Sequence, residues 1–262
     1  MKQSSRIFFW FVVLISFTYP SLISGQEQSG GRILAKAIQN LGGDRYLQVK
    51  TLVGRGNFSV LKGGTPVSYQ SFVDVIVFPD KERTDFKGSG SRSVQVNTGD
   101  TGWVYDDGQE LVKDQNEKQL ADFKRSIRTS LDNLLRGTWK NEAELTYVGK
   151  RPATLGKRNE VVKLTYKDGF VVEFEFAADD GLPQKTVYKQ PGADGEEIKE
   201  EDRYAQFNEI SGIKTPFIVD RFTNGKQTYR INYESVEYDK KIPDSIFTRP
   251  AKPKEAKKDL KL

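Results

Sequence analysis

The candidate catalytic groups of this chain are carboxylates, because the sequence contains no histidine and no cysteine. That composition excludes histidine-based triads, thiol nucleophiles and zinc sites built from Cys or His ligands. No glycine-rich phosphate-binding loop opens a helix. Paired carboxylates could still perform general acid–base chemistry, as in glycosidases. The acids that stand close together are Asp106, Asp107, Asp179, Asp180, Glu196, Glu197, Glu200, Glu201 and Asp202.

The spacing of these acids does not suit a catalytic pair. Adjacent residues on a strand point to opposite faces of a sheet, so neighbouring carboxylates cannot act on one substrate from extended backbone. Asp107-Gly108 and Asp180-Gly181 are also common turn dipeptides. We therefore interpret these acids as turn and surface residues, and we expect no enzymatic activity, no metal and no cofactor.

Asp74 stands in a different context, because it alternates with the apolar residues Phe72, Ile76 and Phe78. A carboxylate on an apolar strand face must be solvated at the rim of the sheet or paired with a cation. An arginine from a covering helix is one candidate partner. Both alternatives remain open from the sequence.

The formal net charge of +5 is concentrated at the two ends of the chain. Lys2 and Arg6 contribute two positive charges, and residues 252–262 contain five lysines and two acids, so the body between them is close to neutral. Nucleic-acid binding needs a clustered basic face, and we expect none here. We predict that residues 251–262 form a basic, disordered tail. Weak attachment of this tail to an anionic membrane is the alternative.

The first 25 residues have the pattern of a secretory signal peptide. Lys2 and Arg6 precede an apolar run, residues 7–15, and small residues follow before Gln26. We expect cleavage near Gly25, with a retained membrane anchor as the alternative. The rest divides into a single domain, residues 26–250, and the tail.

Two amphipathic helices are predicted. In residues 32–41 the apolar side chains fall on one face, and Gly42-Gly43 then favours a helix end. A second helix is predicted over residues 117–136, ending at Gly137. No helix is predicted after it. The apolar face of the second helix contains Leu120, Phe123, Ile127, Leu131, Leu134 and Leu135.

Most of the remaining chain reads as strands joined by tight turns. Turn sequences at Lys62-Gly63-Gly64, Gly99-Asp100 and Asn224-Gly225 each separate two runs rich in β-branched and aromatic residues. Residues 170–176, FVVEFEF, alternate between apolar and charged positions, as a strand with one buried face does. One large antiparallel sheet with apolar-faced helices indicates an α+β fold.

Three stretches of the sequence resemble the LolA-like family, the periplasmic carriers of outer-membrane lipoproteins. They are VIVFPDKERTDF, residues 75–86, VQVNTGDTGWVYDDG, residues 94–108, and DSIFTRP, residues 244–250. The order of signal, helix, hairpins, helix and meander is also similar to that family. The chain departs from it before the matching proline, where Phe78 stands in place of an arginine that helps to close the lid of the best-known carrier.

The resemblance implies an incomplete antiparallel β-barrel, a large curved sheet with helices covering its concave face. It further implies a monomeric periplasmic carrier that binds lipoprotein acyl chains or another lipid for transport towards the outer membrane. Transfer partners in the inner and outer membranes would follow from that role. An envelope sensor or regulator that uses the same half-barrel to bind a protein or lipid signal is the alternative.

The residues of the hydrophobic cavity are predicted from strand parity and from the apolar face of the second helix. Each would either contact a lipid or pack beneath the helices. They are Phe58, Phe72, Ile76, Phe78, Trp103, Tyr105, Phe123, Ile127, Leu131, Phe170, Val172, Phe174, Phe176, Tyr229, Ile231 and Tyr233.

Overall fold

The computed structural model describes residues 21–192, 194–258, 260 and 262, and all of their side chains except those of residues 21–28 and 155. Most of the predicted signal peptide, residues 1–20, lies outside the described residues, and residues 21–25 begin the first helix. In the part of the chain that is described, no helix combines the length and the hydrophobicity needed to cross a bilayer.

Thirteen strands form one antiparallel sheet, and five helices accompany it in the described chain. The helices are α1 Ser21–Leu41, α2 Asp44–Gln48, α3 Glu117–Thr129, α4 Leu131–Arg136 and α5 Pro253–Ala256. The strands are β1 Thr51–Lys62, β2 Thr65–Val77, β3 Lys81–Gly88, β4 Ser91–Thr98, β5 Thr101–Asp106, β6 Leu111–Asp114, β7 Ala143–Pro152, β8 Arg158–Tyr166, β9 Val171–Ala177, β10 Pro183–Pro191, β11 Glu197–Ile210, β12 Ile213–Thr223 and β13 Lys226–Tyr238.

The sheet is open, with β6 at one edge and β7 at the other. Its strand order is β6-β5-β4-β3-β2-β1-β13-β12-β11-β10-β9-β8-β7, so two meanders are joined where β1 pairs with β13. The helices α1 to α4 lie on the inner, concave face. This architecture confirms the predicted α+β fold, an incomplete antiparallel barrel with helices on its concave face.

The predicted turns lie where the sequence placed them. The Asn224-Gly225 pair joins β12 to β13 with both residues at positive φ, 49° and 77°, which is the backbone that a two-residue hairpin requires. Gly63 and Gly64 join β1 to β2 in the same way, at φ 60° and 83°.

The second predicted helix is interrupted. Instead of one helix over residues 117–136, α3 ends at Thr129 and α4 begins at Leu131, because Ser130 adopts an extended backbone with φ −75° and ψ 149°. The Ser130 hydroxyl oxygen accepts a hydrogen bond from the backbone N–H of Asn133, at 3.1 Å, and so caps α4. The apolar periodicity continues through the break, which is why the sequence did not show it.

Each face of the sheet has its own core. On the concave face, α1 and α4 pack on β7, β8, β9 and β10 around the fully buried side chains of Leu134, Leu164 and Phe174. On the opposite face, Val53, Val75 and Trp103 are buried, and the C-terminal segment covers β1 to β6 through Ile242, Ile246, Phe247, Ala256, Leu260 and Leu262.

The C-terminal segment differs from the predicted disordered tail. Pro253–Ala256 forms the short helix α5, and Ala256 is buried. Lys257 donates to Glu110 at 2.8 Å and contacts Asp107 at 3.0 Å, and the two carboxylates raise its pKa. The apolar side chains of Leu260 and Leu262 continue the same core. The prediction of a disordered tail was based on the lysines of this stretch and did not take these two apolar side chains into account.

Candidate functional site

A cavity of about 310 Å³ lies on the concave face, between the middle strands of the sheet and the helices α3 and α4. Its floor comes from β11, β12, β13, β1 and β2, and α4 closes one side. The lining is mostly apolar and aromatic. Its apolar and aromatic members include Tyr46, Leu52, Ile76, Phe78, Leu131, Tyr204, Phe207, Val219, Tyr229, Ile231, Tyr233, Val236 and Tyr238.

Six of the sequence-predicted residues line this cavity: Ile76, Phe78, Leu131, Tyr229, Ile231 and Tyr233. Strand register explains why they meet. In β12 and β13, Val219 lies opposite Ile231 and Arg221 opposite Tyr229, so alternate side chains of both strands share the concave face.

Phe123 and Ile127 of α3 line a smaller adjoining cavity of about 100 Å³, which shares Ile76 and Phe78 with the main one. Phe58 and Phe72 form the next part of the same wall. The ring centres of Phe58 and Tyr229 are 5.2 Å apart, and the ring centres of Phe72 and Tyr233 are 5.4 Å apart.

The phenylalanine face of β9 belongs to the core and does not line the main cavity. Val172, Phe174 and Phe176 are fully buried beneath the helices, and Phe170 packs at the margin of the same cluster. Residues 170–176 therefore have the predicted parity, but α1 and α4 cover that part of the concave face.

Trp103 and Tyr105 lie on the opposite face of the sheet, which corrects their placement in the cavity. Across β2, β3, β4 and β5 the register aligns Trp103 with Val96, Arg83 and Val75, the convex side of the strands. The indole N–H of Trp103 donates to the carbonyl of Phe247 at 2.9 Å. Alternation alone does not tell which face of a strand is the concave one, and the covering segment follows much later in the sequence.

The polar end of the cavity was not predicted. Arg221 donates to Asp202 through two nitrogens, with Nη2 and Oδ2 at 2.7 Å, and to the hydroxyl of Tyr188 at 3.0 Å. Burial raises the pKa of Tyr229, and the Asp202 carboxylate beside it adds to that shift. Because Asp202 already neutralises Arg221, the cavity presents phenol hydroxyls rather than an unpaired cation. The sequence feature that could have indicated this polar end is the alternation of Asp202 with Tyr204, which places both side chains on one face of β11.

Asp74 takes neither of the positions considered from the sequence. It is buried, and it accepts a hydrogen bond from Thr84 at 2.8 Å, while Glu82 lies 3.4 Å from the same hydroxyl. No salt bridge of the described residues involves either acid, so the partner is not an arginine. Burial raises the pKa of Asp74 well above its usual range, and the Glu82 charge adds to this. Burial also raises the pKa of Glu82.

The helix α3 bridges the cavity mouth. On one side it faces the end of β2 and the start of β3 through Phe123 and Ile127, and on the other it faces Tyr188 and Arg221 across a groove. Only Phe123 and Thr129 of this helix are buried. A helix with so small a buried face is weakly held by the sheet.

Arginines tie the ends of α3 and α4 to the sheet. The guanidinium of Arg128 lies 3.9 Å from the ring centre of Tyr166 and pairs with Asp168, at 2.7 and 2.8 Å. Arg136 of α4 lies 4.1 Å above the ring of Phe78 and donates to Asp132. Phe78, which stands in place of the family's arginine, thus contacts α4 through a cation–π interaction with Arg136. Among the described residues, no group of three acids could hold a metal ion.

No protein-family model and no curated protein matches this sequence. The fold does match solved structures. A DUF1329 family protein from Desulfovibrio piger has a TM-score of 0.61 at 15% identity, over 85% of this chain and 97% of that one. The LolA superfamily protein NE2245 from Nitrosomonas europaea has a TM-score of 0.56 at 15% identity, with the same coverage of both chains.

These likenesses define the class of structure: the chain has a divergent LolA-like fold. They cover nearly all of both structural relatives, so the shared unit includes the sheet and its covering helices. The likeness in the three sequence stretches and the likeness of the fold agree.

Proposed function

We propose that this protein is a non-enzymatic periplasmic carrier that holds an acyl chain of a lipoprotein or of another lipid in the concave cavity. The observation that carries this proposal is the apolar and aromatic cavity of about 310 Å³ in a LolA-like fold. Its volume lies at the lower end of the range for small-molecule sites, roughly 300–1,000 Å³. The predicted signal peptide supports export.

The size of the cavity suits a carrier better than a storage protein. Burying an acyl chain gains about 0.8 kcal/mol per CH₂, so a sixteen-carbon chain fully enclosed would gain roughly 12 kcal/mol before the costs of binding. A carrier must release its cargo, and partial burial makes the release faster. The groove beside α3 leaves room for a part of the chain to remain outside.

Filling the cavity tests the proposal directly. Ile231→Trp places a large side chain among the lining residues, whereas Val171→Trp changes a residue that is 39% exposed on the outer side of β9. We expect Ile231→Trp to lower the affinity for a fluorescent fatty acid by at least about tenfold. That is the loss expected when about 1.4 kcal/mol of contact free energy is removed. Val171→Trp should bind as the unchanged chain does.

Both variants keep the apolar N-terminal run, so any binding to that run is common to all three proteins. Equal affinity of all three, or no saturable binding at micromolar concentration, would contradict the carrier proposal. Mass spectrometry of lipid that co-purifies with the protein would then identify the cargo class. The sensor alternative predicts a protein partner captured with an empty cavity.

A further inference from the structure

Two tyrosine hydroxyls in the cavity have no hydrogen-bond partner among the described residues. They belong to Tyr229 and Tyr233 of β13, which both line the cavity. The hydroxyl of Tyr69 also has no protein partner, but that residue is 61% exposed and lies outside the cavity. The hydroxyls of the other tyrosines in the described chain each take part in a hydrogen bond with a protein group, and they are those of Tyr46, Tyr105, Tyr147, Tyr166, Tyr188, Tyr204 and Tyr238.

An unpaired phenol hydroxyl in an apolar cavity needs an explanation. Tyrosine usually finds a hydrogen-bond partner when it is buried, because a polar group without one costs free energy. Sites for small molecules contain a few placed polar groups in an otherwise apolar wall, and these groups fix the orientation of the ligand. The two hydroxyls therefore indicate where a bound lipid makes its polar contacts.

Tyr229 lies where the cavity meets the groove beside α3. It lines both of them, as do Ser126 and Arg221. Tyr233 lines the cavity and not the groove. It stands four residues further along β13, about 13 Å away at the usual rise of a strand. The boundary between the apolar space and the polar groove is thus at Tyr229.

The ring of Tyr229 is held in place by its neighbours. Its centre lies 5.2 Å from the ring centre of Phe58 and 5.2 Å from the guanidinium of Arg221. Arg221 is itself fixed by its hydrogen bonds to Asp202 and Tyr188. Burial raises the pKa of Tyr229, and the charge of Asp202 adds to that rise, so the hydroxyl keeps its proton at neutral pH. Tyr229 therefore presents a hydrogen-bond donor in a preorganised position.

A lipid with its chain in the cavity and its polar part in the groove passes Tyr229 at the point where the two parts join. In an ester lipid this point is the acyl carbonyl, which accepts hydrogen bonds and has no proton to donate. We propose that the Tyr229 hydroxyl donates a hydrogen bond to the carbonyl oxygen of an ester-linked acyl chain and so fixes the position of the lipid. The inference rests on the proposed carrier function and deepens it, because it names the cargo class as an acyl ester.

Two lipids that differ by one carbonyl oxygen test this contact in the full chain. They are palmitoyl lysophosphatidylcholine and its hexadecyl ether analogue, each used below its critical micelle concentration to displace a fluorescent fatty acid. Tyr229→Phe removes the hydroxyl and keeps the ring. Tyr69→Phe is the matched control, because it makes the same chemical change at an exposed hydroxyl outside the cavity.

We expect the unchanged chain to bind the ester about three- to tenfold more tightly than the ether, the range that one net hydrogen bond gives. Tyr229→Phe should bind both lipids with the affinity that the unchanged chain has for the ether. Retained affinity for the ether shows that the variant is folded and that its cavity is intact. Tyr69→Phe should keep the full preference for the ester, and so should Tyr233→Phe.

A preference for the ester that survives in Tyr229→Phe, or no preference in the unchanged chain, would overturn the assignment of Tyr229 while the carrier proposal stands. Loss of the preference in Tyr233→Phe alone would place the carbonyl at the other end of the cavity and overturn it as well. An equal loss of both lipids in Tyr229→Phe would mean that the carbonyl is not contacted. Saturable binding of neither lipid to the unchanged chain would overturn the carrier proposal and this inference together.

Phospholipids and lipoproteins both contain ester-linked acyl chains. The same comparison with a diacylglyceryl lipopeptide and its dialkyl ether analogue distinguishes these two sources. The cargo is the source for which the unchanged chain prefers the ester and Tyr229→Phe does not.

Discussion

The concave face of this sheet is filled by helices over β7 to β10 and left open over β11, β12, β13, β1 and β2. In the filled half, Val172, Phe174 and Phe176 are completely buried beneath α1 and α4. In the open half, tyrosines dominate, and Tyr204, Tyr229, Tyr233 and Tyr238 line a cavity. Phenylalanine and aliphatic side chains thus predominate in the covered half, where Tyr166 and Tyr188 are also buried, and four tyrosines line the uncovered half.

The difference teaches what each half contributes. Phenylalanine gains most from a dry, close-packed site, whereas tyrosine presents an apolar body with a polar end that tolerates either water or a ligand. The filled half therefore stabilises the fold, and the open half can change its contents without unfolding. The following substitutions separate these two roles.

The largest effect should come from the filled half. Phe174→Ala removes a fully buried ring and should destabilise the protein by about 3–5 kcal/mol, the cost of the transfer and of the cavity left behind. Ile231→Ala in the open half adjoins an existing cavity and should cost less. Urea unfolding with a common slope measures both. Equal losses for the two variants would show that the open half is as tightly packed as the filled one.

The same contrast shows what the sequence could reveal. The alternation of residues 170–176 predicted the strand and its buried face, because apolar periodicity is a local property. Whether Phe174 contacts a helix or a lipid depends on where α1 and α4 pack. The pattern of residues within one strand does not predict that packing. Six of the predicted lining residues do meet in the cavity. Three of them, Tyr229, Ile231 and Tyr233, were predictable because they alternate on one strand.

The errors have the same physical origin. Trp103 and Tyr105 alternate as predicted, but they lie on the convex face, where Ile246, Phe247 and Ala256 of the C-terminal segment cover them. The pair of Arg221 with Asp202 joins residues 19 positions apart, and opposite charges at that spacing are common in any sequence. Local chemistry predicted the elements, whereas the assignment of faces required the topology.

An intermediate effect should come from the buried carboxyls beside the open half. The pKa values of Asp74 and Glu82 are raised in the folded protein, so between pH about 4, where these groups titrate when unfolded, and the raised values, the folded state binds more protons. Their contribution to stability is present in full below that pH, and it is lost as the pH rises through the raised values. Burial also raises the pKa of Tyr233, and the charges of Asp74 and Glu82 nearby add to that rise.

Asp74→Asn removes one of these titrations. We expect the variant to lose less stability between pH 5 and pH 8 than the unchanged chain, by about 1.4 kcal/mol for each pH unit over which the carboxyl is protonated in the folded state and ionised in the unfolded state. Urea unfolding at the two pH values measures this. Asp80→Asn, at an exposed position, is the control. Parallel pH profiles for Asp74→Asn and the unchanged chain would show that the carboxyl gains enough compensation from Thr84.

The smallest effect on stability, and the most informative for function, should come from the contact that ties α3 to the filled half. Arg128 holds Asp168 through two hydrogen bonds, and this lowers the pKa of Asp168 to about 2. The contribution of the pair is therefore present above pH about 4 and lost as the pH falls towards 2. Because Asp168 is largely exposed, Asp168→Asn should cost less than about 1 kcal/mol at neutral pH.

The same substitution should act more strongly on ligand exchange. If α3 must move aside for an acyl chain to leave, weakening its tether lowers the barrier to opening and raises the dissociation rate several-fold, with little change in unfolding. Stopped-flow displacement of a bound fluorescent fatty acid measures this rate. Lys157→Gln is the matched control, because it removes the exposed ion pair between Lys157 and Asp179, which lies outside the cavity and the groove and does not involve α3. A dissociation rate that Asp168→Asn leaves unchanged would mean that the ligand leaves through the groove without movement of α3, since the groove between Arg221 and α3 is already open.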